Sequence, residues 1–217
     1  MTCCQCEGIE QEFNAVEAKK MLKRFRRRGP DRSTQLLIDG VREALNTVDA
    51  SGMTLLDVGA GIGAIHHELL TKGVDRAVHL DASSAHLAVA REETERRGHG
   101  ARVEFLRGDF VDIAHNVAPA DVVTLDRVIC CYHDMPRLVR LSAEHARQLF
   151  GAVYPRGIFW MRAGVVVINL IMRIKRSPFR VFHHDPDEID AVLRSTGLQR
   201  RRVQRRLGWE VVVYERT

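Results

Sequence analysis

A glycine-rich loop has the clearest chemical use in this sequence. Residues 55–64 read LLDVGAGIGA and join a short apolar run to a predicted helix. Glycines at such a junction let a ligand approach backbone N–H groups at the start of a helix. The segment therefore predicts a site for an anionic or strongly polar group. It also fits a loosened dinucleotide fingerprint, G-x-G-x-x-A, so the loop alone leaves NAD and other nucleosides open.

Four acids stand at equivalent places along the predicted strands. Each ends or directly follows one of four successive strands, and they are Asp57, Asp81, Asp109 and Asp126. The carboxyl ends of parallel strands form the edge at which open α/β sheets bind ligands. Any one of these acids could be a turn residue or a helix cap. Their shared position favours a binding site.

With this loop and these acids, residues 54–214 resemble the class I S-adenosylmethionine (SAM) dependent methyltransferases. The resemblance implies SAM as cofactor and a loop that surrounds its methionine part, formed by Gly59, Ala60, Gly61 and Gly63 with Asp57 nearby. It implies that Asp81 accepts the ribose hydroxyls, that Asp109 binds the adenine amino group and that Phe110 packs beside the ring. Ala82 and Asp126 complete the predicted cofactor residues. Carboxylates suit a sulfonium and would repel a pyrophosphate, which favours SAM over NAD.

The second half of the chain is most similar to the magnesium-protoporphyrin O-methyltransferases. The similar segments are Leu125-Asp126 leading to Tyr132, Tyr154-Pro155-Arg156, Phe182-His183-His184 and Gly197. The exit of the fourth strand lacks the Asn/Asp-Pro-Pro-aromatic sequence of enzymes that methylate the amino groups of nucleic-acid bases. The resemblance thus favours O-methylation of a small molecule.

Three side chains are candidates for catalysis. His133 follows the strand-end acid Asp126 and is the predicted base, with Tyr132 and His183 as further candidates. Each could instead be structural, as a surface histidine or a buried tyrosine. A base is optional, because the donor of a SAM-dependent transfer is already activated and much of the rate comes from positioning.

Cys3 and Cys6 have the spacing of a metal-ligand pair, but no partner pair occurs elsewhere in the sequence. The alternative is a chain tip with incidental thiols, and we predict no resident metal. Cys130 and Cys131 are an adjacent pair, which does not suit an ordinary disulfide framework. Reduced thiols and the lack of a secretory signal predict a cytoplasmic protein.

Alternating strands and helices predict a Rossmann-like α/β fold. The predicted strands are 54–58, 77–80, 103–106, 121–125, 157–161, 199–206 and 209–216, and the sheet closes with an antiparallel hairpin. Helices are predicted at 64–72, 84–97 and 136–153, with a helix, a loop and another helix over 164–196. Ahead of them, helices over 9–25 and from Ser33, a predicted cap, to residue 48 form an N-terminal arm.

We therefore divide the chain into an arm with a cysteine-containing tip, residues 1–52, and a SAM-binding domain, residues 53–217. Within the domain, residues 163–184 form an inserted lid over an apolar acceptor, and Arg176 and Arg180 would meet its acidic groups. The alternative for this apolar segment is a core helix. The apolar part of the lid is too short to span a bilayer, but it permits weak peripheral contact with a membrane.

The composition of the chain limits the classes of protein to which it can belong. The chain has 217 residues, 45% of them hydrophobic and 28% charged, with a net charge of +5. This excludes a disordered or disulfide-scaffold class and permits one substantial core. We predict a SAM-dependent methyltransferase acting on a small, apolar and acidic molecule. The alternatives are an NAD-linked oxidoreductase, a non-catalytic SAM-binding protein, and an RNA-associated protein that uses Arg26–Arg28 and residues 200–206.

Overall fold

The computed structural model describes the backbone of residues 4–46 and 52–217, and side chains from residue 7 onward. Three helices come first: α1 (Cys4–Glu12), α2 (Ala15–Arg28) and α3 (Arg32–Leu45). The sheet then alternates with helices in the order β1 (Thr54–Val58), α4 (Ala64–Leu70), β2 (Arg76–Asp81), α5 (Ser84–Arg96), β3 (Val103–Arg107), α6 (Phe110–Ile113), β4 (Ala120–Asp126), α7 (Met135–His145), β5 (Ala146–Pro155), α8 (Phe159–Ile174), α9 (Pro186–Ser195), β6 (Leu198–Arg206) and β7 (Trp209–Arg216).

The seven strands form one sheet in the order β3-β2-β1-β4-β5-β7-β6. Strands β1 to β5 pair in parallel, and β7 runs antiparallel to both β5 and β6. The strand order reverses between β1 and β4, the place where open α/β sheets bind ligands. The predicted Rossmann-like fold with a closing antiparallel hairpin and a helical N-terminal arm is confirmed.

Helix α3 packs on the sheet and not beside it. Leu37, Ile38 and Val41 are buried in a core cluster that also contains Leu55 of β1 and Val122 of β4. Leu56, on the opposite side of β1, belongs to the core cluster of the other face. This helix of the arm therefore packs against the predicted SAM-binding domain, and the division at residue 52 stays a prediction.

The predicted fifth strand is wrong. Residues 146–153, predicted as the end of a helix, form the first part of β5, and residues 159–161, predicted as strand, begin α8. Because β5 lies between β4 and β7 with both faces covered, residues 149–155 are all buried and show no polar alternation. Such a run cannot be distinguished from a buried helix by its period.

Two helix starts in the arm also differ from the prediction. The helix predicted over residues 9–25 is interrupted, because the Asn14 side chain accepts hydrogen bonds from the N–H groups of Val16 and Glu17 and caps α2. Asp31, and not Ser33, caps α3, since its carboxylate accepts from the N–H groups of Ser33 and Thr34. Over the residues that the structure describes, no helix is long and apolar enough to cross a membrane.

Candidate active site

The glycine loop between β1 and α4 has a backbone that few other residues could adopt. Gly59, Gly61 and Gly63 have φ angles of 63°, 57° and 83°. A Cβ on Gly59 would lie 2.5 Å from the Val128 side chain, and one on Gly63 would collide with the His66 ring. The loop is therefore tight, and its peptide groups can come close to a ligand.

Asp81 holds this loop from the end of β2. Its Oδ2 accepts a hydrogen bond from the Gly61 N–H at 2.7 Å, and its Oδ1 accepts from the Ser83 N–H at 2.8 Å. His86 Nδ1 lies 3.5 Å from Oδ2. Burial works to raise the pKa of Asp81, but the hydrogen bonds from His86 and Ser83 outweigh it and the pKa lies below its usual value. The carboxylate is thus charged at neutral pH.

Asp57, at the end of β1, differs from Asp81 in its charge, because its pKa is raised and not lowered. Its Oδ1 accepts from the Thr124 hydroxyl at 2.7 Å, whereas Oδ2 is buried without a hydrogen-bond partner within the described part of the chain. Burial raises the pKa of Asp57 to about 8, because it outweighs the hydrogen bond from Thr124, which lowers the pKa. The nearby charges of Asp126 and Asp81 raise it further. His66 Nδ1 is 4.0 Å away, but burial lowers its pKa well below the usual value. A cation beside Oδ2 would favour the ionised carboxylate.

The remaining two acids are held by neighbouring loops. Asp109 caps α6 through the Val111 N–H and accepts from the Tyr132 hydroxyl at 3.0 Å. Asp126 accepts from the Thr34 hydroxyl at 2.6 Å, a contact that reaches back to the arm. Both carboxylates are thereby fixed at the carboxyl edge of the sheet.

These elements enclose a cavity of about 520 Å³. Nine of the ten predicted cofactor residues line it, and they are Asp57, Gly59, Ala60, Gly61, Asp81, Ala82, Asp109, Phe110 and Asp126. Gly63 does not line the cavity and instead packs on His66. The donor set fits SAM, because a tight glycine loop, an unpartnered buried carboxyl oxygen and two ordered strand-end acids meet in one space.

The arm and the segment after α8 close the other side of the cavity. Phe13 contacts Phe179 edge to face, with ring centroids 5.7 Å apart, and packs on His86 at 5.2 Å. Glu10 accepts hydrogen bonds from the backbone and hydroxyl of Ser84 at the start of α5. Ile168 of α8 reaches the cavity from the same side. This wall is therefore apolar and aromatic.

Of the three predicted catalytic residues, the structure places one at the cavity and two away from it. Tyr132 lines the cavity. His133 is exposed and stacks on Tyr132 with centroids 5.2 Å apart, and His183 Nε2 lies 3.3 Å from the Arg156 carbonyl. Neither histidine lines the cavity in the described structure. A catalytic role for these three side chains stays a prediction.

Three cavity residues escaped the sequence analysis. His86 follows Asp81 in the first turn of α5, a position that could have indicated a partner for that acid. Arg127 contacts Asp31 at 2.7 Å and Asp126 at 3.0 Å, and its φ of 60° is unusual for a side chain other than glycine. Arg24 comes from the exposed basic end of α2 and had no signal of its own.

Two groups of predicted side chains lie away from the cavity or outside the described part of the chain. Arg180 donates to the carbonyls of Ser177 and Phe179, and neither it nor Arg176 lines the cavity. Cys3 lies outside the described residues, as does the side chain of Cys6, so their metal-ligand role stays a prediction.

Comparison with known proteins agrees with this geometry. Residues 55–150 match the family model of the methyltransferase domain. No curated protein matches the chain. The matched part covers β1 through the first half of β5, and therefore includes the glycine loop and all four strand-end acids.

Solved structures show the same fold over nearly the whole chain. The magnesium protoporphyrin IX methyltransferase from Synechocystis with bound SAH is 18% identical, with a TM-score of 0.73, and the match covers 98% of this chain and 100% of that one. Its SAM-bound form is 17% identical, with a TM-score of 0.70 and coverage of 98% and 97%. An O-methyltransferase family protein from Burkholderia thailandensis is 18% identical, with a TM-score of 0.71 and coverage of 96% and 63%.

Proposed function

Because residues 55–150 match the family model of the methyltransferase domain, we propose that this chain is a SAM-dependent methyltransferase and that it transfers the methyl group of SAM to an oxygen atom of a small, apolar and acidic molecule. The observation that supports this proposal is the chemical composition of the cavity lining. Acids and glycines line its sheet edge, whereas the wall made by the arm and α8 is mostly aromatic and aliphatic and includes Arg24, which forms no ion pair among the described residues.

At the sheet edge, the chain's own residues would hold the cofactor. The loop from Gly59 to Gly61 and the Asp57 carboxyl suit the methionine part, and Asp81 suits two hydroxyls of a ribose. Asp109 and Phe110 would hold the adenine. When bound, SAM supplies a methyl group that is already activated by a positively charged sulfur.

At the acceptor side, Arg24 is the cation that the described cavity lining offers to an acidic group. It lines the cavity and forms no ion pair within the described residues. Arg127 also lines the cavity, but Asp31 and Asp126 already neutralise it. Phe13, Phe179 and Val181 supply apolar contacts for the body of the acceptor.

This arrangement requires no catalytic base if the acceptor is a carboxylate. The acceptor oxygen is ionised at neutral pH, forms the new C–O bond as the S–CH₃ bond breaks, and releases no proton. Rate then depends on holding the oxygen about 3 Å from the methyl group in a dry cavity. The exposed position of His133 agrees with such an acceptor, and so does the finding that neither His133 nor His183 is among the described residues that line the cavity.

Calorimetric SAM binding tests the cofactor end. We expect Asp81→Ala and Gly61→Val to weaken binding at least tenfold, because one removes the ribose acceptor and the other places a β-branched side chain at a φ of 57°. Asp112→Ala, an exposed acid on α6, is the control and should bind like wild type. Unchanged affinity in both cavity variants would refute the site assignment.

Acceptor kinetics test the other end. A screen of tetrapyrroles, quinone precursors and other aromatic acids, each paired with its neutral amide, should find transfer only to the acids. With an active acid, Arg24→Gln should raise KM about tenfold and leave kcat within about twofold, since the arginine binds ground and transition states alike. Arg27→Gln, exposed on the same helix, is the control. Equal transfer to the amides would contradict an acidic acceptor.

We also propose that the protein works in the cytoplasm. The Sγ atoms of Cys130 and Cys131 lie 3.9 Å apart and are not joined in a disulfide, which fits a reducing compartment.

A further inference from the structure

Helix α8 is apolar and yet exposed. It has 16 residues, and throughout this described helix no residue is buried. Its large exposed apolar side chains are Phe159, Trp160, Val166, Val167, Ile168, Leu170, Ile171 and Ile174. Val166 is 68% exposed and Ile174 is 74% exposed, so most of the surface of these two side chains is uncovered in the monomer. Contiguous apolar surface of this kind marks an interaction site.

The two sides of α8 have different roles. On the inner side, Ile168 lines the cavity, and the Asn169 amide donates to the Val181 carbonyl at 2.7 Å and accepts from its N–H at 2.9 Å. These bonds fix the helix to the molecule. Helical spacing of three and four residues places the opposite apolar stripe on one line, and we call it the outer face: Phe159, Ala163, Val167, Leu170 and Ile174.

The segment that contains the outer face is strongly basic. Residues 156–184 contain no acid, and their basic residues are Arg156, Arg162, Arg173, Lys175, Arg176 and Arg180. This segment carries six positive charges, more than the +5 of the whole chain, so the rest of the chain is slightly acidic. At 100° per residue, Arg162 and Arg173 flank the outer face on the same side.

We propose that the outer face of α8 binds the surface of an anionic membrane. An interfacial helix lies in the plane of the bilayer with its apolar side among the acyl chains and its basic residues at the headgroups. Aromatic residues such as Phe159 and Trp160 suit the boundary between the two. A second copy that docked face to face would bring two such segments together, and their basic residues would repel one another.

Membrane binding would place the cavity next to lipid. Ile168 and Asn169 lie on the side of α8 opposite the outer face, and they contact the cavity and Val181, respectively. An apolar acceptor could then enter from the bilayer without crossing water. The binding itself does not depend on the proposed acceptor or on methyl transfer, so it is tested separately.

Vesicle co-sedimentation of the full chain is the test. Wild type should bind vesicles of phosphatidylcholine that contain about 30% phosphatidylglycerol at least tenfold more tightly than vesicles of pure phosphatidylcholine. The reason is that each basic residue near an anionic surface raises the affinity roughly fivefold. Val167→Glu with Leu170→Glu should reduce binding more than tenfold. Arg162→Glu with Arg173→Glu should abolish the preference for the anionic lipid.

Matched controls separate the outer face from general effects. Val16→Glu changes an exposed valine on α2, and Arg137→Glu with Arg140→Glu changes two exposed arginines on α7. Both should bind like wild type, and circular dichroism should show all variants folded because the altered side chains are exposed. Absence of wild-type binding, or equal loss in the controls, would overturn the proposal. So would a wild-type dimer in sedimentation velocity that Val167→Glu dissociates, since the outer face would then be a dimer interface.

Discussion

At the scale of single residues, the protonation of Asp57 links the stability of the fold to the proposed binding of the cofactor. Its buried carboxyl has a pKa of about 8, against an ordinary value of 3.8, so at neutral pH the folded chain holds a proton that the unfolded chain has released. Folding therefore takes up this proton, and the free energy of unfolding falls as pH rises from about 4 to 8. A bound cation would lower the pKa of Asp57 again, because it favours the ionised carboxylate.

Asp57→Asn should separate these two effects. We expect the variant to lose the decline in melting temperature between pH 5 and 8, since the amide keeps the Thr124 contact and carries no titrating proton. We expect SAM affinity of wild type to rise with pH toward 8, by up to about tenfold per unit, and that of the variant to be weak and flat. Calorimetry and thermal scans over this range measure both. A wild-type affinity independent of pH would refute the assigned charge state.

At the scale of elements, a buried acid attaches the arm to the main fold. Glu93 of α5 is 0% exposed and accepts hydrogen bonds from Arg96, Arg97 and Arg26, the last of which belongs to α2. These bonds, from Arg96 above all, hold the pKa of Glu93 well below its usual value. Beside them, Leu22 and Phe25 of α2 pack against Ile62 and Val89.

Glu93→Gln should loosen this attachment. The free energy of unfolding should fall by about 1 to 3 kcal/mol at pH 7, because the arginines lose a charged acceptor. The difference from wild type should shrink as pH falls far below the usual pKa of a glutamate, where the wild-type carboxylate also becomes protonated. Urea unfolding measures it, with Glu95→Gln, exposed on the same helix, as control. Equal losses in the two variants would mean that the buried cluster adds no more stability than an exposed glutamate does.

At the scale of the whole molecule, the cavity joins three parts of the chain. The arm, the carboxyl edge of the sheet and the segment after α8 all contribute to its lining. A ligand that fills it contacts all three at once and stabilises the folded state as a unit.

A thermal scan with cofactor should show this coupling. SAM at about 100 times its dissociation constant should add about 2.7 kcal/mol, which for a chain of this size is roughly 5 to 10 °C in Tm. NADH at the same concentration should produce no shift, because the strand-end acids disfavour a pyrophosphate. A rise with NADH and none with SAM would instead support an NAD-linked oxidoreductase.

The sequence by itself determined the features that depend on local chemistry. Strands β1 and β7 have the predicted bounds, because polar residues or glycines interrupt the chain at their ends. The glycine loop and the strand-end acids were also visible, since each belongs to one strand and the turn that follows it. Their meeting at one edge follows from parallel pairing alone.

Only the tertiary structure decided what depends on contacts between distant segments. β5 was mistaken for helix because its two covered faces remove the alternation that identifies a strand. Arg24 and Phe179 meet in one cavity although more than 150 residues separate them, and no local pattern encodes that meeting. Helix α8 is the sharpest case: an apolar sequence predicts burial or a lid equally well, and its exposure is set by where the rest of the chain leaves it.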